Sequence, residues 1–320
     1  MSTDANASVC SSGQPPPNSG LPLKSRDDPH SGLARLAIFC GDIKIAHSVF
    51  ALPFALLSTF LSAHGWPAIG QLGLIVACMV TARTVAMSSN RLLDANLDRA
   101  NPRTARRAIP SGQLSSAFVA AILAGCAIAF IAACAMFGVL YRNWLPLILS
   151  VPVLAFVAGY PYLKRFSRWC HYYLGAALAL APICAAIAIA GRVTIDSLFM
   201  GAAVLCWTAG FDIIYACQDY EHDVAAGLFS IPSKLGIAGA LWVSRLTHAI
   251  SLSMLIALGL HSPELSTLYW IGVSISGGLL IVEHWIVSPG DLSKVGLAFF
   301  TVNGIISLLL GALGILDVFF

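Results

Sequence analysis

Nine runs of apolar residues separated by short polar breaks dominate this chain, at 45–64, 67–89, 115–139, 144–163, 172–190, 196–218, 236–260, 266–287 and 294–316. A helix crosses the hydrocarbon of a bilayer in about 20 residues, which is the length of each run. Lipid offers the backbone no hydrogen-bond partner, so only helices or closed barrels span it. Barrel strands would read as alternating segments of about ten residues, and these runs do not alternate. The chain is therefore predicted to be an all-α polytopic membrane protein of nine transmembrane helices. Composition agrees: 58% of the 320 residues are hydrophobic and 10% are charged, against about 25% charged in a soluble domain.

With charge so scarce, each position can be weighed. If the N-terminus is cytoplasmic, fourteen Lys and Arg fall in inner segments and only Arg142 and Arg192 in outer loops. That bias predicts an N-terminus inside and a C-terminus outside. The net charge of +3, with no concentrated basic face, argues against nucleic acid as a partner. Residues 1–31 are rich in Ser, Pro, Asn and Gly and are expected to form a disordered tail before the membrane domain at 32–320. They lack the apolar core of a secretory leader, so no cleaved signal is expected. The nine cysteines are odd in number and make no Cys-x-x-Cys. They are read as small apolar residues within helices.

The acidic residues are unevenly placed. Six of the fifteen lie in two short segments: Asp94 and Asp98 after the second run, and Asp212, Asp219, Glu221 and Asp223 at the end of the sixth. Asn90, Asp94 and Asp98 are spaced four apart, as are Asp219 and Asp223, which keeps each set on one helix face. Any one such spacing is commonly a solvated helix end. Two on one membrane side, with Arg103, Arg106 and Arg107 nearby, suggest two Mg²⁺ ions clamping a diphosphate. Mg²⁺ takes one or two carboxylates and completes its shell with water and phosphate oxygens.

These segments resemble the UbiA superfamily of intramembrane aromatic prenyltransferases, of the 4-hydroxybenzoate polyprenyltransferase type. Asn90, Asp94 and Asp98 match its first motif, with Arg91 standing where an Asp is usual. Asp212, Tyr215, Asp219 and Asp223 match its Asp-x-x-Tyr-Ala-x-x-Asp-x-x-x-Asp motif. Tyr160-Pro161-Tyr162-Leu163-Lys164-Arg165 matches Tyr-Pro-x-x-Lys-Arg, and Arg107 to Gly112 matches Arg-x-x-Pro-Ser-Gly. Asp42 to Ala55, including Lys44, His47 and Pro53, resembles the opening of the first span in hydroxybenzoate-type members. The likeness covers residues 40–316.

The resemblance implies nine helices around a central cavity and an Mg²⁺-dependent enzyme. Polyprenyl diphosphate would bind through metal at Asn90, Asp94, Asp98, Asp219 and Asp223, and loss of diphosphate would leave an allylic cation that attacks an aromatic acid. Metal charge would offset the leaving group's. Lys164, Arg165, Arg103 and Arg107 would add charge-assisted hydrogen bonds, and Tyr160 and Tyr215 could face the cation with their rings. Asp212, a carboxylate in an apolar span, is expected to be functional. By resemblance it handles the acceptor phenol, the other reading being a structural partner for Lys164 or Arg165. Arg165 is an alternative holder of the acceptor carboxylate. Lys44 either touches substrate or snorkels to the surface, and Arg83, two turns before Asn90, is a candidate cavity residue. His47 reads as a polar contact between helices, Glu283 and His284 as interfacial, Arg245 and His248 as packing against loops or neighbouring helices, and Pro53 as a kink.

The expected reaction is prenylation of 4-hydroxybenzoate in quinone biosynthesis at a bacterial inner membrane. A hydroxynaphthoate acceptor in a menaquinone route is the alternative within the family. An ion-coupled transporter is the alternative of another class, disfavoured because its ion sites belong near the midplane. A CDP-alcohol phosphotransferase is disfavoured because its Asp-Gly-x-x-Ala-Arg signature is absent.

Overall fold

A computed structural model describes residues 32–44 and 50–320. The tail at 1–31 and His47, within 45–49, lie outside the described residues. The described chain is helical, and its one β feature is an isolated bridge between Ser288 and Asp291.

A surface helix, α1 (Gly32–Asp42), comes first and buries Phe39. Then come α2 (Leu52–Ala63), α3 (Ile69–Leu93), the short α4 (Ala95–Ala100), α5 (Ser116–Tyr141) and α6 (Leu145–Gly159). A 3₁₀ turn, Tyr160–Arg165, leads to α7 (Cys170–Ala190) and α8 (Ile195–Ala216). After a second such turn, Cys217–Asp219, follow α9 (Tyr220–Ala225), α10 (Ile231–His261) and α11 (Thr267–Ile286). The last span is broken into α12 (Val295–Leu297), a π turn at Ala298–Val302 and α13 (Asn303–Asp317).

Local chemistry sets several of these ends. Ser115, Thr194 and Ser230 each accept a backbone N–H of the first turn of α5, α8 and α10, which satisfies donors that have no partner within the helix. α7 stops at Gly191 in the left-handed conformation (φ 66°), which glycine adopts without a Cβ clash. Pro53 sits in the first turn of α2, where its missing N–H costs nothing. It opens the helix and does not kink it.

Seven helical segments among the described residues are long and apolar enough to cross a membrane, and α2 is a shorter apolar helix. The expected count of nine is therefore not reached by length and composition. The first expected run is helical from Leu52, and α11 carries Glu283 and His284 in its last turn. The remaining runs coincide with spans.

Lipid supplies no hydrophobic drive between helices, so close packing and polar contacts hold the bundle. α8 is its centre, packed along α7 on one side and α10 on the other. Gly175 lets α7 approach so closely that a Cβ there would meet the Leu205 carbonyl of α8. Ser58 donates to the Pro182 carbonyl at 2.7 Å, and Ser244 and Ser251 to the carbonyls of Gly210 and Ala203 at 2.8 Å each. An aromatic cluster of Phe50, Phe54, Trp207, Phe211 and Phe299 fills the core between α2, α8 and the π turn.

Glu283 is not interfacial. The Glu283 carboxylate is fully buried and accepts from Asn303 at 3.0 Å, while Asn303 accepts from the Trp207 indole at 2.6 Å. His284 meets His248 at 3.0 Å. His248 packs between helices, as expected, and Arg245 lies over the Trp242 ring.

Candidate active site

One end of the bundle gathers the charges. α3 ends at Leu93, and the chain stays helical enough for Asp94 N–H to reach the Asn90 carbonyl at 2.9 Å and Asp98 N–H the Asp94 carbonyl at 2.7 Å. Asp94 is fully buried. Its Oδ2 accepts from Lys164 at 2.6 Å and Asn90 at 2.8 Å, and its Oδ1 from Arg165 at 3.2 Å. The 3₁₀ turn after α6 thus delivers both of its basic residues to the first acidic motif. Arg165 is spent on protein partners, for it also donates to the carbonyls of Leu93 at 2.8 Å and Pro161 at 3.1 Å. Asp98 accepts Arg107 on both oxygens at 2.8 Å.

The second motif closes on the first through the loop after α4. Asn101 donates to Asp219 at 2.9 Å, and Arg103 donates to the same carboxylate through Nε at 2.8 Å and through Nη2. Arg103 Nη1 also donates to the Tyr215 hydroxyl at 2.9 Å. Burial works against the Arg103 charge, but its hydrogen bonds to Asp219 outweigh that and raise its pKa. Tyr215 lies against Phe299, with ring centroids 4.3 Å apart. Asp223 accepts only the Ser230 hydroxyl, at 2.8 Å, and has no ion pair among the described residues.

Lys44 approaches from the other side of this end, its ammonium 4.3 Å from the Phe300 ring centroid. Partial burial lowers its pKa, and Arg107, Arg91 and Arg103 lower it further. Four cations crowd one place, which an anion would relieve.

Asp212 pairs with neither Lys164 nor Arg165. Its Oδ2 lies 2.7 Å from Nδ1 of His171, in the first turn of α7. Sequence reasoning passed over His171, although an ionisable residue entering an apolar span is itself a signal. It also passed over Asn101 and Ser230, whose partners lie in other segments.

Beneath this end runs a cavity of about 180 Å³ between α3, α5, α6 and α7. Its lining extends from Tyr160 and Met87 at the charged end to Pro146 and Ala188 at the other. At 1.5 Å per residue along α6, that is roughly 20 Å. The walls are apolar except near Arg83. Nε of Arg83 is buried and has no hydrogen-bond partner among the described residues, and Nη2 reaches only the Lys44 carbonyl, at 3.4 Å.

Nine of the expected site residues fall into three groups, while Asp98 pairs with Arg107 and Asp212, Asp223 and Lys44 stand apart on His171, Ser230 and Phe300. Asn90, Asp94, Lys164 and Arg165 form one contact set, and Arg103, Tyr215 and Asp219 form another. Tyr160 and Arg83 line the cavity. Among the described residues no three His, Cys, Asp or Glu converge as a metal cage.

Known proteins resemble this chain in sequence and fold. Residues 51–311 match the model of the UbiA prenyltransferase family. The 4-hydroxybenzoate octaprenyltransferase of Chromohalobacter salexigens is 29% identical over 269 residues, covering 82% of this chain and 87% of that protein. The enzyme of that name from Francisella tularensis subsp. novicida is 28% identical over 232 residues, covering 72% and 79%. The apo structure of a UbiA homolog from Aeropyrum pernix K1 superposes with a TM-score of 0.76 at 31% identity, over 85% of this chain and 98% of that one. A UbiA homolog from Archaeoglobus fulgidus bound to DMAPP and Mg²⁺ shares the fold, with a TM-score of 0.59 at 20% identity over 88% and 98%. With a family match across most of its length, laid over the helices that build this site, the chain belongs to the UbiA prenyltransferase family.

Proposed function

We propose that this protein transfers a polyprenyl group from polyprenyl diphosphate to an aromatic acid, with 4-hydroxybenzoate as the acceptor. The observation that carries this reading is the apolar cavity, about 180 Å³, that meets a carboxylate-rich and base-rich end at Tyr160. It suits a molecule with a long isoprenoid tail and a charged head. The relatives named 4-hydroxybenzoate octaprenyltransferase support the choice of acceptor.

The donor set fits Mg²⁺. Asp94, Asp98, Asp219 and Asp223, with the amide oxygen of Asn90, offer oxygen ligands, and Asp223 has no ion pair among the described residues. The lack of a protein-only cage suits an ion that leaves much of its shell to phosphate and water. When bound, Mg²⁺ supplies positive charge that stabilises departing diphosphate.

The chain's own groups do the rest. Arg103, Arg107 and Lys164 exchange carboxylate partners for diphosphate oxygens, Lys44 adds its charge from above the Phe300 ring, and Arg165 holds Asp94 in place. The donor carbon–oxygen bond breaks with both electrons going to diphosphate, and the ring carbon beside the acceptor hydroxyl supplies the pair for the new carbon–carbon bond; that carbon then gives up its proton to the released diphosphate, which restores the aromatic ring, and the ring oxygen recovers the phenol proton. Tyr160 and Tyr215 stabilise the allylic cation through their ring faces, and the apolar walls exclude water. Asp212 accepts the phenol proton and so raises electron density in the ring. The Arg83 guanidinium meets the acceptor carboxylate, a role that Arg165 is too heavily engaged to fill. The clustering of basic residues at this end supports a cytoplasmic-facing site in a bacterial inner membrane.

Purified protein incubated with candidate aromatic acids, a prenyl diphosphate and Mg²⁺ is the test, read by mass spectrometry. Prenylated 4-hydroxybenzoate is expected, and product with a hydroxynaphthoate alone would replace the acceptor. Asp212→Asn is expected to keep prenyl diphosphate binding and lose at least about 100-fold in kcat. Equal loss of lipid binding would remove Asp212 from acceptor chemistry.

A further inference from the structure

His171 sits where three helices meet. It lies in the first turn of α7, faces Asp212 on α8 through Nδ1 at 2.7 Å, and faces the first residue of α10 through Nε2. There the backbone N–H of Ile231 donates to Nε2 at 3.2 Å. That N–H opens α10 and has no partner within the helix.

This second contact decides the protonation of the ring. A backbone N–H can only donate, so Nε2 must carry a lone pair. The proton of the neutral imidazole then resides on Nδ1 and points at Asp212. An imidazolium would set an N–H against the Ile231 N–H, and the positive end of the α10 dipole adds to that penalty. The Asp212 carboxylate alone would favour the imidazolium, and the Ile231 contact opposes it in favour of the neutral ring, an Nδ1–H donor to Oδ2 of Asp212. Oδ1 of Asp212 makes no hydrogen bond among the described residues, while the Asp212 side chain retains 23% of its exposure. Leu174 and Leu178, three and seven residues along the same face of α7, line the cavity.

We propose that His171 is a positioning residue for Asp212, locked in the Nδ1–H tautomer by the N-terminus of α10. It holds one carboxylate oxygen so that the other presents its lone pairs to the acceptor hydroxyl. This rests on the assignment of Asp212 to acceptor chemistry.

Two substitutions and one spectrum test the proposal on the full-length protein. Gln at this position offers one N–H donor and one carbonyl acceptor and cannot titrate, whereas Leu offers neither. His171→Leu is expected to lower kcat by about 10- to 100-fold, the equivalent of one charge-assisted hydrogen bond. Its KM for the prenyl diphosphate stays unchanged. His171→Gln is expected to restore most of kcat. Nitrogen-15 spectra of histidine-labelled protein should show a neutral Nδ1–H imidazole that disappears in His171→Gln.

A wild-type protein without acceptor-dependent turnover would remove the reaction itself. An active wild type in which His171→Leu keeps kcat would overturn only the positioning role. So would a His171→Gln that stays as impaired as His171→Leu, or a His171 resonance that is cationic or protonated at Nε2.

Discussion

Arg91 donates through Nε to Asp42 Oδ2 at 2.7 Å and through Nη2 to the Asp42 carbonyl at 2.7 Å, so it ties the end of α3 to the end of α1. The other Asp42 oxygen accepts the Ala108 N–H at 3.0 Å, and Arg91 Nη1 donates to the Asn90 amide oxygen at 2.8 Å. The residue that departs from the family's first motif is thus a clamp that orients Asn90. Both side chains are nearly excluded from solvent, at 6% and 11%. Removing one partner strands a buried charge, which costs about 3 kcal/mol. Arg91→Ala is expected to lower unfolding stability in detergent by that order. Arg91→Asp, although it restores the usual motif residue, should cost more by setting two carboxylates together. Recovery in Arg91→Asp with Asp42→Arg would confirm the pair, and an undiminished Arg91→Ala would dissolve it.

Arg83 leads to a prediction about acceptor choice. Its Nε is buried without a partner among the described residues at the edge of an apolar cavity. Arg83→Leu is expected to raise KM for an acidic acceptor by roughly 10- to 100-fold, as for a lost hydrogen bond to a charged group. Affinity for prenyl diphosphate should change little. A methyl ester of the acceptor should lose far less, so an equal loss for acid and ester would refute a contact with the carboxylate.

At the opposite end of the bundle, His64 meets Glu264 at 2.7 Å. Partial burial would raise the Glu264 pKa, but the hydrogen bond from His64 outweighs it and holds the carboxyl below its ordinary 4.5. A depressed carboxyl pKa contributes stability that is present above the unfolded value and is lost as pH falls through the folded one. The difference in Tm between wild type and Glu264→Gln is therefore expected to be constant at neutral pH and to shrink below pH 4.5. A difference that stays flat into acid would exclude the linkage.

The approach of α7 to α8 makes a prediction about packing. A Cβ at Gly175 would meet the backbone carbonyl of Leu205, which cannot swing away. Gly175→Ala is expected to destabilise by about 2 kcal/mol, in the range of overpacked cores. It should also reduce activity, because His171 and Asp212 belong to these two helices. A fully stable Gly175→Ala variant would mean the helices separate at little cost.

What could be read from the sequence was what repeats locally. Apolar runs of helix-spanning length marked most of the spans, and four-residue spacing placed Asn90, Asp94 and Asp98 together. The association of Lys164 and Arg165 with a carboxylate was foreseeable, but their partner is Asp94 and not Asp212. That choice depends on where the turn after α6 meets the end of α3, which no spacing encodes. His171 was obscured for the same reason, since Asp212 lies 41 positions away on another helix. Glu283 misled because acidic residues near a span end usually reach water, whereas Asn303 and the π turn fold back over this one.

The long cavity draws its lining from α2, α3, α5, α6 and α7, and among the described residues α8 contributes none. The helix bearing Asp212, Tyr215 and Asp219 is insulated from the walls that would gauge a tail. The second acidic motif and the cavity walls are thus carried on separate helices. A lineage could retune how long a chain it accepts by exchanging small residues such as Cys134 or Ala181 for larger ones, leaving every carboxylate where it stands.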